Sequence, residues 1–282
     1  MEQTVVDVND LSRSFGGKSA LDSVSFRASA GRIYGLVGAN GAGKTTLLKH
    51  LLGLLRTTTG SLRVFGLDPV LDPVGVLSRV GYTQAFHPTW DAAYARELLE
   101  SFGLDPSKKV KELSKGMRAQ AGLIAAVAHR PELLILDEPS SGLDAVVRRD
   151  ILDAIVRTVA DDGRTVIFSS HLLDEVERMS DHVTLMHHGR VTLSGVLDDV
   201  RHASQRSRVR FAEHSDQPPA LETALAMEGG GRTWSVVHSG SLELFHHSVL
   251  ALGGEVVESR DATLEEIFVA RAGRNRQPLE AA

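Results

Sequence analysis

The chain contains no cysteine, which excludes disulfides and thiolate metal sites and is compatible with a reducing cytosol. It has no excess of basic residues. Lys and Arg number 31 against 36 Asp and Glu, a net charge of −5, which argues against broad electrostatic attachment to nucleic acid. Long apolar runs are missing too. Nothing approaches the roughly eighteen residues of a membrane span, and the longest candidate, residues 122–129, is short and Ala-rich. The opening Met1-Glu2-Gln3-Thr4-Val5-Val6-Asp7 lacks the basic and apolar stretches of a signal peptide. Together these absences predict a soluble protein whose membrane role, if any, passes through a partner. What remains is 282 residues of ordinary hydrophobic content, 42%, enough for one large domain with a small appendage.

The most informative stretch is Gly38-Ala39-Asn40-Gly41-Ala42-Gly43-Lys44-Thr45-Thr46. It follows the apolar run Ile33-Tyr34-Gly35-Leu36-Val37 and precedes Leu47-Leu48-Lys49-His50-Leu51-Leu52, so it reads as strand, Gly-rich turn, helix. That is the context a G-x-x-x-x-G-K-[ST] phosphate loop needs. Glycines let the backbone wrap closely enough for its N–H groups to face phosphate oxygens, and the helix start adds partial positive charge. In such a loop Lys44 reaches the β- and γ-phosphates and the Thr45 hydroxyl ligates Mg²⁺.

Along the chain, Thr4-Val5-Val6-Asp7-Val8 alternates like an edge strand, Ser23–Phe26 offers another, and Ser12-Arg13-Ser14-Phe15-Gly16-Gly17 between them reads as a turn-rich loop. Short strands are predicted at 60–66 and 79–84, and helix from about 91 to 130. Leu133-Leu134-Ile135-Leu136-Asp137 is a continuous apolar run, the mark of a buried parallel strand. A helix at 145–160 leads to a second buried strand at 164–169, a short helix near Leu172, and strands near 182–187 and 190–194. Strands alternating with helices predict an α/β domain with a mainly parallel sheet. Composition shifts near Val200. Beyond it, strands at 207–212, 233–238 and 255–259 are expected to alternate with helices near 219–227, 242–252 and 263–271, interrupted at Gln217-Pro218-Pro219 and Gly229-Gly230-Gly231. The expected division is therefore 1–200 and a small α/β appendage, 201–282, with a frayed end.

Asp137-Glu138-Pro139 completes a second motif. A buried strand delivers Asp137 to a sheet edge where it can hold Mg²⁺ through water, with Glu138 beside it to polarise an attacking water. Leu113-Ser114-Lys115-Gly116-Met117 lies upstream and looks like the LSGGQ signature of ATP-binding cassette ATPases. Gln84, Ser141-Gly142-Leu143-Asp144 and Ser170-His171 fall in that family's order. The resemblance covers about residues 4–195 and is greatest to the ATPase subunits of ABC-2-type exporters, where LSKGM-type signatures and C-terminal extensions also occur.

This resemblance implies a P-loop ABC nucleotide-binding domain: a RecA-like core, an antiparallel β subdomain and a helical subdomain at about 86–130. It implies ATP and Mg²⁺ as ligands. Phe15 would stack on adenine, presenting a π-face where Tyr is usual. Gly38, Ala39, Asn40, Gly41, Ala42, Gly43, Lys44, Thr45 and Thr46 would hold phosphates, while Thr45, Gln84 and Asp137 would attend the metal. Glu138, His171, Lys44 and Gln84 would serve hydrolysis. Ser114 and Gly116 would meet the ATP of a second subunit, with Lys115 and Met117 departing from the usual Gly and Gln, and Asp144 would lie at the dimer seam. Partners implied are an integral membrane permease and a second ABC ATPase, in a homodimer or heterodimer, on the inner face of the cell membrane; no nucleic acid is expected. The aromatics Phe86, Trp90, Tyr94 and Phe102 mark the region where a permease helix would dock or where a small helical core packs. His182, His187, His188, His246 and His247 gain no role from spacing, though a His-His pair offers an adventitious metal site. The rivals are a soluble ABC ATPase acting on nucleic acid or ribosomes, an importer ATPase, and a nucleotide-dependent regulator. The roughly seventy residues between loop and signature leave no room for the long coiled coil of repair ATPases, and the single cassette differs from translation types.

Overall fold

The computed structural model describes residues 3–83, 91–215 and 217–274. The chain divides after Ser194 into two compact units.

In the first unit, β1 (Thr4–Phe15) pairs antiparallel with both β2 (Lys18–Ser29) and β4 (Thr59–Val64), giving a three-stranded sheet in the order β2-β1-β4. β1 is thus the central strand, not an edge. The expected loop at 12–17 is also mostly strand, because only Gly16 and Gly17, both at positive φ (55° and 82°), make the turn. A two-residue turn with both φ positive matches strand twist and lets the ladder run to its tip.

The second sheet has the order β5-β6-β7-β3-β8-β9, from β3 (Ile33–Val37), β5 (Val80–Tyr82), β6 (Leu133–Asp137), β7 (Thr165–Ser170), β8 (His182–His187) and β9 (Arg190–Val196). β3 is parallel to both β7 and β8, and β6 to both β5 and β7. All five residues of β3 are buried, as are Leu133, Leu134, Ile135 and Leu136 of β6. Continuous apolar strands of this kind are covered on both faces. Val37 pairs with Ser170 and Asp137 with Ser169, so the carboxyl ends of β3, β6 and β7 align. That edge is where open α/β sheets place ligands.

Helix α1 (Lys44–Leu51) follows β3, and its Leu47, Leu48 and Leu51 join Val6, Leu11, Leu21 and Val24 of the antiparallel sheet in one core. A short α2 (Pro73–Leu77) leads into β5. The helical region comprises α3 (Ala92–Ser101), capped by Asp91, and α4 (Lys115–Val127), capped by Ser114, with Ala95, Leu104, Ile124 and Ala128 as its core. α5 (Ala145–Asp162) and α6 (Leu173–Met179) flank β7 in sequence.

In the second unit, α7 (Leu197–His202) precedes a sheet ordered β11-β10-β12, from β10 (Ser204–Ser215), β11 (Ala224–Ser239) and β12 (Gly254–Asp261), with α8 (Leu242–Ala251) and α9 (Leu264–Arg274). The helix expected at 219–227 is absent. Ser239 N donates to Thr223 O at 3.1 Å, so the two ends of β11 meet and the chain doubles back through the glycines at 229–231. Ala224–Met227 are helix formers by composition, but pairing overrides that weak preference.

Candidate functional site

The phosphate loop is shaped by what surrounds it. A Cβ on Gly38 would come within 2.4 Å of Met186 O, and one on Gly43, at φ 105°, within 2.6 Å of Ala20 O. Only glycine fits at these two points, because β8 and β2 press the loop from behind. Gly189 N also donates to Ala42 O at 3.0 Å. Gly43 caps α1 without any side-chain hydrogen bond, which leaves first-turn N–H groups for a ligand. Lys44 is buried, and its Nζ donates to Gly38 O at 2.6 Å.

A cavity of about 300 Å³ opens over this loop, lined by Phe15, Lys18, Ser19 and Ala20 from the β1–β2 region, by residues 40–46 and by Glu138. Phe15 is 46% exposed, and Arg13 places its guanidinium 4.8 Å from the ring centroid. Phe15 itself lines the cavity, where an aromatic ring can meet a planar ligand.

Glu138 gathers the reactive groups. Its backbone has φ 48°, an uncommon value for a non-glycine residue. Its N–H is shared between Ser169 O (3.2 Å) and Ser169 Oγ (2.9 Å). Ser169 Oγ in turn donates to Asp137 Oδ1 at 2.5 Å. One hydroxyl thus links Asp137 to the backbone of Glu138. The Glu138 carboxylate lies 3.4 Å from Lys44 Nζ and 3.0 Å from His171 Nδ1. Lys44, Glu138 and His171, far apart in sequence, meet at one point.

The arrangement suits a nucleoside triphosphate: free helix-terminal N–H groups, a buried ammonium, an aromatic face and one carboxylate facing them. It also suits Mg²⁺. Thr45 and Asp137 are hard oxygen donors, and the described residues hold no cluster of three His, Cys, Asp or Glu. Mg²⁺ typically takes one or two carboxylates and completes its shell with water and phosphate.

Other candidates lie elsewhere. Gln84, Phe86 and Trp90 are outside the described residues. Ser114, Gly116 and Asp144 do not line this cavity. Ser114 Oγ accepts from Met117 N at 3.2 Å, Gly116 packs where a Cβ would strike Val147, and Asp144 Oδ1 accepts from Val146 N and Val147 N, both at 3.1 Å. Each is engaged at a helix start. Tyr94 carries the guanidinium groups of Arg130 and Arg164 near its ring (4.2 and 5.3 Å from the centroid), and Phe102 packs on the helical core, so neither stands out as an exposed anchor. His187 and His188 contact each other edge to face, and His182 stacks on Tyr34.

Sequence reading missed Lys18, Ser19 and Ala20 in the cavity, and Ser169 between the two acids. For the first three a signal existed, since they directly follow the Gly16-Gly17 turn that returns the chain past Phe15. Ser169 had none, because its role arises from the β6–β7 register.

A family model described as ABC transporter matches residues 21–141. The ABC transporter ATP-binding protein YtrB of Bacillus subtilis (strain 168) is 27% identical, aligning 97% of this chain with 100% of its own length. The daunorubicin resistance ATP-binding protein DrrA3 of Streptomyces coeruleorubidus is 31% identical over 100% of both chains. A solved ATP-binding subunit of an ABC transporter superposes with a TM-score of 0.58 at 27% identity, covering 70% of this chain and 92% of that one. The chain belongs to the ATP-binding proteins of ABC transporters.

Proposed function

We propose that this protein is the ATP-hydrolysing subunit of an exporter, driving a separate membrane permease from the inner face of the cell membrane. The observation that carries the reading is the meeting of Glu138 with Lys44 and His171 (3.4 and 3.0 Å) beside the phosphate-loop cavity. Export is favoured by the full-length likeness to a daunorubicin resistance protein. No described helix is long and apolar enough to cross a membrane, and in this reading the pathway belongs to the permease.

Phe15 supports the adenine. Residues 38–46 and the start of α1 bind the phosphates, with Lys44 offsetting their charge. Mg²⁺, when bound, neutralises charge on the β- and γ-phosphates, and Thr45, Asp137 and Gln84 would hold it. Glu138 accepts a proton from the attacking water, and His171 fixes the carboxylate and faces the γ-phosphate. Stabilisation of the transition state is largely electrostatic. Ser114 and Gly116 bind the ATP of a second subunit, so two ATP molecules close a dimer whose seam includes Asp144.

Glu138→Gln keeps shape and removes the charge. The variant should bind ATP, hydrolyse it on the order of a hundredfold more slowly, and accumulate as a dimer in light scattering. Adding Ser114→Arg should return it to monomer. Unchanged turnover in Glu138→Gln would reject the assignment of the base.

A further inference from the structure

A buried carboxylate lies beneath the candidate site and belongs to none of its motifs. Glu175, in the first turn of α6, is only 2% exposed. A charge removed from water is costly unless hydrogen-bonded and paired, and Glu175 is both. Ser140 Oγ donates to its Oε1 at 2.6 Å and Ser170 Oγ to its Oε2 at 2.7 Å, so each oxygen has its own hydroxyl. Both serines are themselves buried, at 3% and 2% exposure. Arg148 of α5 supplies the counter-charge, with Nε 3.6 Å from Oε1, and its Nη2 donates to Leu143 O at 3.3 Å.

The three partners are distributed in a telling way. Ser140 follows Glu138 by two residues, across Pro139. Ser170 immediately precedes His171, and its Oγ also accepts from Leu172 N at 3.0 Å, which fixes the turn that presents the imidazole. Leu143 precedes Asp144. The Glu138–His171 contact above is half-exposed and made by side chains alone (3.0 Å; 26% and 40% exposed). The β6–β7 ladder and the bonds from Glu138 N to Ser169 hold the strand ends as far as Glu138 and Ser169, but not the turns that follow them, at Pro139-Ser140 and Ser170-His171. Below it, a bidentate acceptor with no freedom to rotate joins the same two segments.

We infer that Glu175 is a positioning residue for ATP hydrolysis: its carboxylate fastens the loop after Glu138 to the turn before His171, and through Arg148 to the loop before Asp144. This rests on the reading of Glu138 as base. The charge matters because both serine hydroxyls donate. An amide in its place presents one acceptor oxygen and one donor NH₂, so one serine must accept where it now donates, both bonds lose their charge-assisted strength and Arg148 loses its counter-charge, and the two segments are held more loosely. A shift of about 1 Å in reacting groups costs on the order of a hundredfold in rate, whereas ATP binding depends on residues 38–46 and Phe15, which Glu175 does not touch.

The test uses the full chain with Mg²⁺ and ATP. Glu175→Gln should lower kcat at least about tenfold while KM and the affinity for a fluorescent ATP analogue stay within about twofold. Ser140→Ala and Ser170→Ala should each lower kcat, and neither should add a comparable loss on top of Glu175→Gln, since all three belong to one network. Ser140→Thr and Ser170→Thr, which keep the hydroxyl, should restore most of the rate. Wild-type kcat in folded Glu175→Gln overturns the inference, as does a loss of analogue affinity that matches the loss of kcat. If Glu175→Gln does not fold, the serine variants decide: Ala and Thr replacements with equal kcat reject a positioning role. A wild-type chain without ATP turnover would instead overturn the hydrolysis reading itself.

Discussion

At Lys44 a single ammonium serves two carbonyls and a carboxylate. Nζ lies 2.6 Å from Gly38 O, 3.4 Å from Ala39 O and 3.4 Å from Glu138 Oε1. The cation therefore holds the loop closed over itself and offsets the charge of Glu138, which lines the same cavity. In Lys44→Ala the carboxylate would face the phosphates without a counter-charge. Each charge-assisted bond contributes about 1.5–3 kcal/mol, so ATP affinity should fall at least about a hundredfold, read by titration with a fluorescent ATP analogue. Retained affinity would place the nucleotide elsewhere. This residue was legible in sequence because its environment is local: the strand, the loop and the helix are contiguous. Asp137 and Glu138 were legible for the same reason, as the termination of an apolar strand. Ser169 and Glu175 were not. Their partners are 32 and 35 residues away for Asp137 and Ser140, and a serine or a helical glutamate carries no pattern of its own until strand register brings those partners near.

Among the elements, the β8–β9 hairpin braces the phosphate loop from outside it. Its turn, His188-Gly189, has φ values of 47° and 78°, the paired positive angles of a tight hairpin. From that turn Gly189 N donates to Ala42 O at 3.0 Å, and Gly189 O accepts from Asp22 N at 2.8 Å. The hairpin thus ties the phosphate loop to β2, whose residues 18–20 line the cavity. A Cβ at Gly189 would sit 2.8 Å from Ala20 O, and positive φ adds strain of about 1–3 kcal/mol for a β-branched residue. Gly189→Val should therefore lower the melting temperature and weaken ATP binding by about tenfold or more, although Gly189 does not line the cavity. A variant that melts earlier yet binds ATP as wild type would show that the hairpin supports the fold and not the loop. The strands were legible as alternating or apolar runs. Their neighbours were not, which is why β1 read as an edge and Ala224–Met227 as helix: pairing is a property of the sheet, and composition there pointed the other way.

At the scale of the whole molecule, the two units have separate cores. One is built on Leu47, Leu48, Leu51 and the sheets around them; the other is built on Val209, Trp234, Val236, Phe245 and Val249. Against the second core lies His238, fully buried, with Nε2 2.9 Å from Ser207 Oγ and its ring stacked on Phe245 at 3.6 Å. Burial, aided by nearby His246, lowers its pKa to about 4 from 6.5. An unfolded chain therefore binds a proton here between pH 6.5 and 4 that the folded chain refuses. Stability from this group is complete above about pH 6.5 and is lost as pH falls toward 4, amounting to about 3 kcal/mol. Glu266 acts in a lower window. Its hydrogen bond with Arg260, together with those from Thr263 and Arg206, holds it at about 2 against an ordinary 4.5, so its contribution is present above 4.5 and lost as pH falls further. The second unit should thus weaken in two stages on acidification, beginning with His238. The chain has two tryptophans, so Trp90→Phe leaves Trp234, in the second core, as the sole reporter. Urea unfolding followed by its fluorescence should show a midpoint that falls between pH 6.5 and 4.5. Adding His238→Gln, which keeps a polar group near Ser207 but cannot titrate, should lower the midpoint at neutral pH and flatten its dependence in that window. A midpoint independent of pH from 6.5 to 4.5 in the protein that retains His238 would mean the imidazole is protonated without unfolding the unit around it.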